Sequence, residues 1–343
     1  MNELKIGLTT ITLFTFLIIG FLSNYILLLL GLFLALSTLI VLLIVKSKKG
    51  LDFMLFLILI VGIVFAFHSG LIIRNSFQKV CFISDLKNRT ENKFNIKPID
   101  LNQIEHDILQ NADCFNLVTL TTIESGDSIV NLNILKSIDT CRNKPKILII
   151  AGVHGSEPSG VYAIKEIIHK IKVENLLQFF NIQIIYALNP IGLAMYNRNN
   201  ECNCDINRDY IQFKTMQSKL IKKLCYLNKY NYVLDLHEGP YNGHYFINNT
   251  SLKGLESRLT SKLKENNIII SPLLQNGIRN FLFKYQLDSP TTRLNKIMPL
   301  DNYLNSIGIE NILSESNPLS NNMEHRILGH VITFDCLINS LNK

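Results

Sequence analysis

The chain has 343 residues, of which 48% are hydrophobic and 18% are charged, and its mean hydropathy is +0.20. This composition excludes an intrinsically disordered chain, which would combine low hydrophobicity with high net charge. The formal net charge is +7, but removing the six bases and two acids of residues 1–80 leaves 28 bases and 25 acids for the rest. That balance is ordinary for a soluble domain, so we expect no nucleic-acid partner. The seven Cys form no short-spaced zinc framework and no dense disulfide scaffold.

Three apolar runs fill the first 75 residues, at residues 7–22, 25–45 and 53–73. The second and third runs reach the about 20 residues that a helix needs to cross a bilayer core, and the first is marginal. A signal peptide competes for the first run, but its apolar region would be shorter and would end at a small-residue cleavage site. The sequence therefore predicts an integral membrane protein, with about three transmembrane helices in residues 1–75 and the lipid bilayer as a partner of residues 7–73.

The orientation of this predicted segment depends on the basic residues that flank it. The loop with Lys46, Lys48 and Lys49 is the densest basic loop, which favours a cytoplasmic position for it. Basic residues between Arg74 and Arg89 favour the opposite orientation. We expect the remainder of the chain, from residue 75 onwards, to be extracytoplasmic.

Residues 76–115 are predicted to be a linker and lead-in, and residues 116–343 a separate domain. In that domain strand-like runs alternate with segments of helical spacing. The predicted strands cover residues 117–123, 129–135, 146–152, 182–188, 232–237 and 307–313, and the predicted helices cover residues 160–171, 210–227, 252–265 and 327–341. This alternation predicts an α/β domain with a mixed, largely parallel sheet and helices on both faces.

Polar side chains follow several of these strands, where ligands bind in such sheets. His154 and Glu157 follow the strand at 146–152, and His237 ends the strand at 232–237. Zinc takes neutral imidazole and carboxylate ligands, and a catalytic site uses three protein ligands with one open position. The H-x-x-E pair alone is a weak signal, but with His237 it predicts a site for one zinc ion per chain.

Four ordered blocks of sequence resemble a known family. GVHGSEPSG at residues 152–160 resembles the first zinc motif of the zinc metallocarboxypeptidase superfamily, which includes the zinc carboxypeptidases and the succinylglutamate desuccinylase/aspartoacylase branch. The segment at 189–210 is similar to the next block of that superfamily, and DLH at 235–237 is similar to the third. Glu315, in ILSESNP, occupies the place of its general base. The resemblance covers residues 115–340 and implies a metallocarboxypeptidase-like fold.

The resemblance implies a metal centre and a base. His154, Glu157 and His237 match the zinc ligands. Glu315 matches the carboxylate that takes a proton from the zinc-bound water. Zinc chemistry agrees with this assignment, because zinc lowers the pKa of water and a nearby Glu can carry the released proton.

The resemblance also implies roles for four polar residues of the second block. Arg198 matches the arginine that stabilises the oxyanion, and fixed positive charge at that place is what a tetrahedral intermediate needs. Asn207 and Arg208 match the pair that binds a substrate carboxylate. Asp205 matches the acid that orients a zinc His through its other ring nitrogen.

Some residues have no secure assignment from the sequence. Tyr285 and Tyr303 are both candidates for the tyrosine that zinc carboxypeptidases place before the general base. Glu238, directly after the zinc His, is unusual, and a basic group of the substrate is one partner for it. His244 is a candidate for lining the pocket, and His330 for packing or capping in the last helix.

The sequence thus predicts a zinc-dependent hydrolase that cleaves an amide bond next to a free carboxylate in a peptide, as a carboxypeptidase does. The alternative within the enzyme class is an N-acyl amino acid deacylase of the succinylglutamate desuccinylase/aspartoacylase type. The alternative outside it is an inert binding or assembly protein on the same fold. Loss of a zinc ligand or of Glu315 would have favoured an inert protein, and all of these residues are present.

Overall fold

The computed structural model describes residues 100–125, 128–138, 143–239, 243–271, 297–318 and 322–342. The chain divides into two units, and the second, Ile96–Lys343, contains all of these residues. The three apolar runs, the first part of the predicted linker and Tyr285 lie outside the described residues.

The described residues form seven strands and seven α-helices, which we number in chain order. The strands are β1 (Phe115–Ser125), β2 (Ser128–Ser137), β3 (Lys146–Ala151), β4 (Asn181–Ile185), β5 (Tyr232–Glu238), β6 (Tyr245–Asn249) and β7 (Glu310–Ser316). The helices are α1 (Leu101–Leu109), α2 (Ser159–Val173), α3 (Pro190–Ala194), α4 (Met216–Asn228), α5 (Leu255–Glu265), α6 (Leu300–Ser306) and α7 (Met323–Leu341).

All seven strands belong to one mixed sheet with the order β1-β2-β4-β3-β5-β7-β6. The four central strands, β4, β3, β5 and β7, are parallel to one another. The outer strands β1, β2 and β6 pair in antiparallel fashion. The predicted mixed α/β sheet is therefore confirmed, and the carboxyl ends of the central strands meet at one edge.

Each face of the sheet is covered by helices. Successive side chains of a strand point to opposite faces, so Ile147 and Ile149 of β3 join one core, and Leu148 and Ile150 join the other. The first core packs under α1, α2, α5 and α7, and the second under α4 and α6. The short helix α3 contributes Leu193 to the first core and Ile191 to the second. Burial on both faces explains why β3 is a continuous apolar run, as central parallel strands usually are.

The structure corrects the membrane part of the predicted fold. Within the described ranges, no helix has both the length and the apolar character needed to cross a bilayer. The helix α7, with 19 residues, carries Glu324, Arg326 and Asp335, and its apolar side chains pack into the first core. This finding corrects three predictions made from the sequence. They are the transmembrane helical segment, the lipid partner, and the integral membrane protein with an extracytoplasmic domain. The apolar runs behind them are not among the described residues.

Two element boundaries differ from the sequence prediction for local reasons. The helix predicted at 210–227 begins only at Met216, because the Thr215 side chain caps it by accepting a hydrogen bond from Ser218 N. Residues 101–109, which the sequence analysis placed in the lead-in, form α1. Asp100 caps this helix, and Ile104 and Ile108 bury against the first core.

Candidate metal centre

The first two predicted ligands lie in the loop between β3 and α2. The chain leaves β3 through Gly152, whose φ of +67° favours glycine. The loop passes directly over the backbone of α3, and a Cβ atom at Gly155 would overlap the Gly192 carbonyl group. Gly155 therefore permits the close approach that places His154 and Glu157 at the sheet edge.

The third ligand and the predicted base come from adjacent strands. His237 lies near the end of β5, which pairs with β3 on one side and with β7 on the other. In the parallel β5–β7 pair, His237 is directly opposite Glu315. Their side chains consequently point to the same face, and Glu315 lies within β7 rather than after it.

His154, Glu157 and His237 converge on one point. Their ligand atoms all lie within 4.8 Å of one another. Glu157 Oε1 is 2.8 Å from His154 Nδ1, and Glu157 Oε2 is 2.8 Å from His237 Nδ1. The two Nδ1 atoms are 3.2 Å apart, and both His side chains are only 2% exposed.

A carboxylate holds the outer nitrogen of each imidazole. His154 Nε2 donates to Asp205 Oδ1 over 3.1 Å, and His237 Nε2 donates to Asp235 Oδ2 over 3.0 Å. Asp205 is the residue to which the resemblance assigned the orientation of a zinc His, and that role stays a prediction. No such role was predicted for Asp235, although residues i and i+2 of a strand share a face, which places Asp235 and His237 together.

This donor set fits a divalent metal ion such as zinc. With each Nε2 proton given to a carboxylate, a neutral imidazole leaves an unprotonated Nδ1 facing the cluster. The two Nδ1 atoms and the two Glu157 oxygens then present their lone pairs to one another, and a cation between them would bind all of these acceptors. Two imidazoles and one carboxylate are a ligand set that catalytic zinc takes.

The charges around the cluster shift the pKa values of Glu157 and His237 in opposite directions. Burial would raise the pKa of Glu157, but His154 and His237 hold it well below its usual range. Burial would lower the pKa of His237, but Asp235 and Glu157 hold it well above its usual range. The site therefore favours positive charge between its carboxylates.

Arg198 joins the loop to the second block. Its Nη1 donates to Glu157 Oε1 over 2.9 Å, and its Nε donates to Asp205 Oδ2 over 3.0 Å. The guanidinium therefore lies beside the cluster, where the sequence placed the group that stabilises the oxyanion. Burial would lower the pKa of Arg198, but Asp205 and Glu157 raise it, so the group stays charged.

Glu315 lies at the same edge. Among the described residues, its Oε2 atom is buried and has no hydrogen-bond partner. Burial, together with the charges of Glu157 and Asp235, raises the pKa of Glu315 to about 8 against the opposing charges of His237 and Arg198. A carboxylate with a free oxygen next to a cation site can accept a proton from a water molecule.

The predicted carboxylate-binding pair is divided between two environments. Asn207 is buried, and its Oδ1 accepts a hydrogen bond from Leu300 N at the start of α6. Arg208 is exposed and donates to the Asn207 carbonyl oxygen over 2.7 Å. Asp301 of α6 is buried, which raises its pKa to about 6.

The remaining candidates do not belong to the ligand cluster. Tyr303 stacks on Tyr210 in the second core, with ring centroids 5.6 Å apart. His244 and His330 are fully buried, and burial lowers the pKa of His244 to about 3. Glu238 is also buried, and its partner is Arg326 of this chain rather than a basic group of a substrate.

Gly155→Ala should weaken metal binding as well as stability. The added Cβ would overlap the α3 backbone, so the loop with His154 must shift, and such overpacking costs about 1–3 kcal/mol. Gly308→Ala is a matched control, because its φ of +77° is strained for Ala but its Cβ meets nothing within 4 Å. Urea unfolding and zinc titration of both variants check this. Equal zinc affinity of Gly155→Ala and the parent would contradict it.

The motifs and the fold agree with comparisons to known proteins. Residues 143–250 match the family model of the succinylglutamate desuccinylase/aspartoacylase catalytic domain. Carboxypeptidase 2 of Trichophyton tonsurans and that of Trichophyton equinum are each 28% identical over 101 residues, which is 28% of this chain and 19% of each relative. The chain thus matches less than a fifth of the length of these curated relatives.

Solved structures share the fold at low sequence identity. A metallo-carboxypeptidase from Pseudomonas aeruginosa superposes with a TM-score of 0.52 at 13% identity, covering 71% of this chain and 70% of that one. A protein from Shewanella denitrificans OS217, for which metallopeptidase activity is suggested, gives a TM-score of 0.55 at 17% identity, covering 70% and 89%. These likenesses concern the fold alone. Together with the matched family model, they confirm the resemblance to the zinc metallocarboxypeptidase superfamily.

Proposed function

We propose that this chain, which resembles the zinc metallocarboxypeptidase superfamily in motifs and fold, is a metal-dependent hydrolase that cleaves an amide bond next to a free carboxylate. The observation that carries the proposal is the convergence of His154, Glu157 and His237, with each imidazole oriented by its own carboxylate. This arrangement at the carboxyl ends of parallel strands lies where such folds bind their ligands. The carboxypeptidase names of relatives support the hydrolase class.

His154, Glu157 and His237 would hold one zinc ion. When bound, zinc supplies a Lewis acid that polarises the scissile carbonyl group and lowers the pKa of water. Asp205 and Asp235 keep both imidazoles in the tautomer that presents Nδ1 to the ion. Such partners fix ring orientation and strengthen the ligands.

Glu315 is the proposed base. It lies opposite His237 across the β5–β7 pair and has a free carboxylate oxygen. It takes a proton from the attacking water and returns it to the leaving amine. Burial raises the pKa of Glu315 to about 8 in the metal-free chain. The charge of Arg198 opposes this rise, and a divalent cation in the site would favour the ionised form further.

Arg198 and Arg208 are assigned to two different negative charges, the oxyanion that forms during the reaction and the free carboxylate of the substrate. Arg198 lies beside Glu157 and is fixed by Asp205, so it can stabilise an oxyanion without reorganising. Arg208 is exposed and can hold a planar carboxylate with two parallel hydrogen bonds. We assign the substrate's free carboxylate to Arg208, with Asn207 beside it.

The family match favours a second candidate, an N-acyl amino acid deacylase, because it covers the loop with His154 and the strand with His237. The Pseudomonas aeruginosa relative was solved with (2-guanidinoethylmercapto)succinic acid, which is a dicarboxylic acid. Both candidates require a carboxylate next to the scissile amide. They differ in whether the acyl part is a peptide or a small acid.

Hydrolysis assays on matched substrates test this proposal. Purified full-length chain, loaded with zinc, is given peptides with free or amidated C-termini and a series of N-acyl amino acids. Cleavage of the free peptides supports the carboxypeptidase, and cleavage of the N-acyl amino acids alone supports the deacylase. Equal cleavage of free and amidated peptides would contradict the carboxylate requirement.

Arg208→Ala should raise KM by about 10- to 100-fold and change kcat little. The reason is that a hydrogen bond to a charged group contributes about 1.5–3 kcal/mol and Arg208 holds the substrate before and during the reaction. Lys253→Ala removes an exposed basic side chain after β6, at the opposite end of the sheet, and is the control. Steady-state kinetics measure both. An unchanged KM in Arg208→Ala would contradict the assignment.

A further inference from the structure

A buried carboxylate, Glu238, lies next to the metal centre on the opposite face of the sheet. Side chains alternate along β5, so Glu238 points away from the face that His237 occupies and lies against α2 and α7. Its side chain is only 1% exposed, although a buried carboxylate is costly unless it is paired.

Two hydrogen bonds join Glu238 to the loop that carries the ligands and to the first residue of α2, which directly follows that loop. The Glu238 carboxylate accepts from Ser159 N over 2.7 Å. In return, Glu238 N donates to Glu157 Oε2 over 3.1 Å. The end of β5 and the end of the loop are thus tied together at two points, and one of them is a metal-ligand carboxylate.

Arg326 of α7 completes this arrangement. Its Nη1 donates to Glu238 Oε2 over 2.7 Å, and its side chain is 13% exposed. Because each Glu238 oxygen has one partner, the carboxylate is fixed between the loop and α7.

One helical turn further along α7, His330 contacts the same place. Its Nε2 lies 3.1 Å from Ser159 Oγ, and its Nδ1 lies 2.9 Å from Ser314 Oγ of β7. Residues i and i+4 share one side of a helix, so α7 presents Arg326 and His330 together. This helix therefore braces both the loop with Glu157 and the strand with Glu315.

We propose that Glu238 and Arg326 are positioning residues that set the metal affinity of the site by fixing Glu157 relative to His237. The inference rests on the proposed function, since it concerns the same metal centre. A buried ion pair contributes little net stability compared with apolar side chains of similar size, so stability alone gives little reason for this pair. One hydrogen bond of Glu238 ends at the metal ligand Glu157, and the other ends at Ser159, two residues after that ligand. Arg326 lies outside the residues that match the family model.

The test measures zinc affinity rather than activity. The full-length parent and the variants Glu238→Ala, Arg326→Met and Arg326→Lys are titrated with zinc against a chromophoric chelator. The visible spectrum of bound Co²⁺ reports the ligand geometry, and urea unfolding reports stability. Asp335→Asn is the matched control, because Asp335 pairs with Lys170 over 2.8 Å and also joins α7 to α2, but away from the site.

We expect Glu238→Ala and Arg326→Met to weaken zinc binding by about 10- to 100-fold, which is typical for residues that orient metal ligands. The Co²⁺ spectrum should change in the same variants. Arg326→Lys should restore most of the affinity, and Asp335→Asn should bind zinc as the parent does.

Two results would overturn the inference alone. One is parent-like zinc affinity and an unchanged Co²⁺ spectrum in Glu238→Ala and Arg326→Met, and the other is an equal loss in Asp335→Asn. If Glu238→Ala does not fold, the comparison of Arg326→Met with Arg326→Lys decides by the same criteria. A parent chain that binds no zinc overturns the proposed function together with the inference, which distinguishes the two failures.

Discussion

Glu315→Gln should lower kcat by about 10²- to 10⁴-fold while zinc stays bound. Gln keeps the size of the side chain and part of its hydrogen bonding, but it cannot accept a proton from water, and general-base catalysis typically contributes a factor of this order. Glu315 does not belong to the ligand cluster, so the metal content should be that of the parent. Steady-state kinetics and elemental analysis of the same preparation measure both quantities.

Glu310→Gln is the matched control for this variant. Glu310 lies at the other end of β7, where its carboxylate accepts hydrogen bonds from Ser251 N and Ser251 Oγ. The control removes a carboxylate from the same strand far from the metal centre, and its kcat should equal that of the parent. Normal turnover in Glu315→Gln would show that another group accepts the proton, and the role of Glu315 would be wrong.

His237→Ala should abolish stoichiometric zinc binding. The variant removes one of three ligands, and His154 and Glu157 alone hold zinc poorly. It also leaves Asp235 buried without the imidazole that pairs with it over 3.0 Å. We therefore expect zinc content far below one ion per chain after dialysis, together with loss of hydrolysis.

His169→Ala is the control, because His169 lies exposed on α2 and takes no part in the cluster. Its zinc content should match that of the parent. Full zinc content in His237→Ala, measured by elemental analysis, would contradict the proposed ligand set. A loss of zinc in His169→Ala would show that the measurement reports general damage rather than a lost ligand.

The approach of His154, Glu157 and His237 could be predicted from the sequence because these residues lie at or just after the ends of buried strands. Apolar runs identify the central parallel strands, and the carboxyl ends of such strands meet at one edge of the sheet. His154, Glu157 and His237 therefore had to lie near one another once their strands were recognised. The structure adds the distances, and it places Glu315 within β7 and opposite His237.

The polar partners of the cluster were harder to predict. Asp235 could have been found, since it lies two residues before His237 on the same strand face. Arg326 could not have been found, because it is 88 residues from Glu238 and only the packing of α7 on the sheet brings the two together. Likewise, the hydrogen bond from Leu300 N to Asn207 depends on how α6 returns to the loop.

Restoration of hydrolysis by metal tests whether this chain is a zinc-dependent hydrolase. The full-length chain is treated with a chelator, dialysed, and titrated with zinc while cleavage of a peptide with a free C-terminus is followed. We expect cleavage to be lost after chelation and to return fully at one equivalent of zinc per chain. Cleavage that persists without metal, or none at one bound equivalent for peptides and N-acyl amino acids alike, would contradict it.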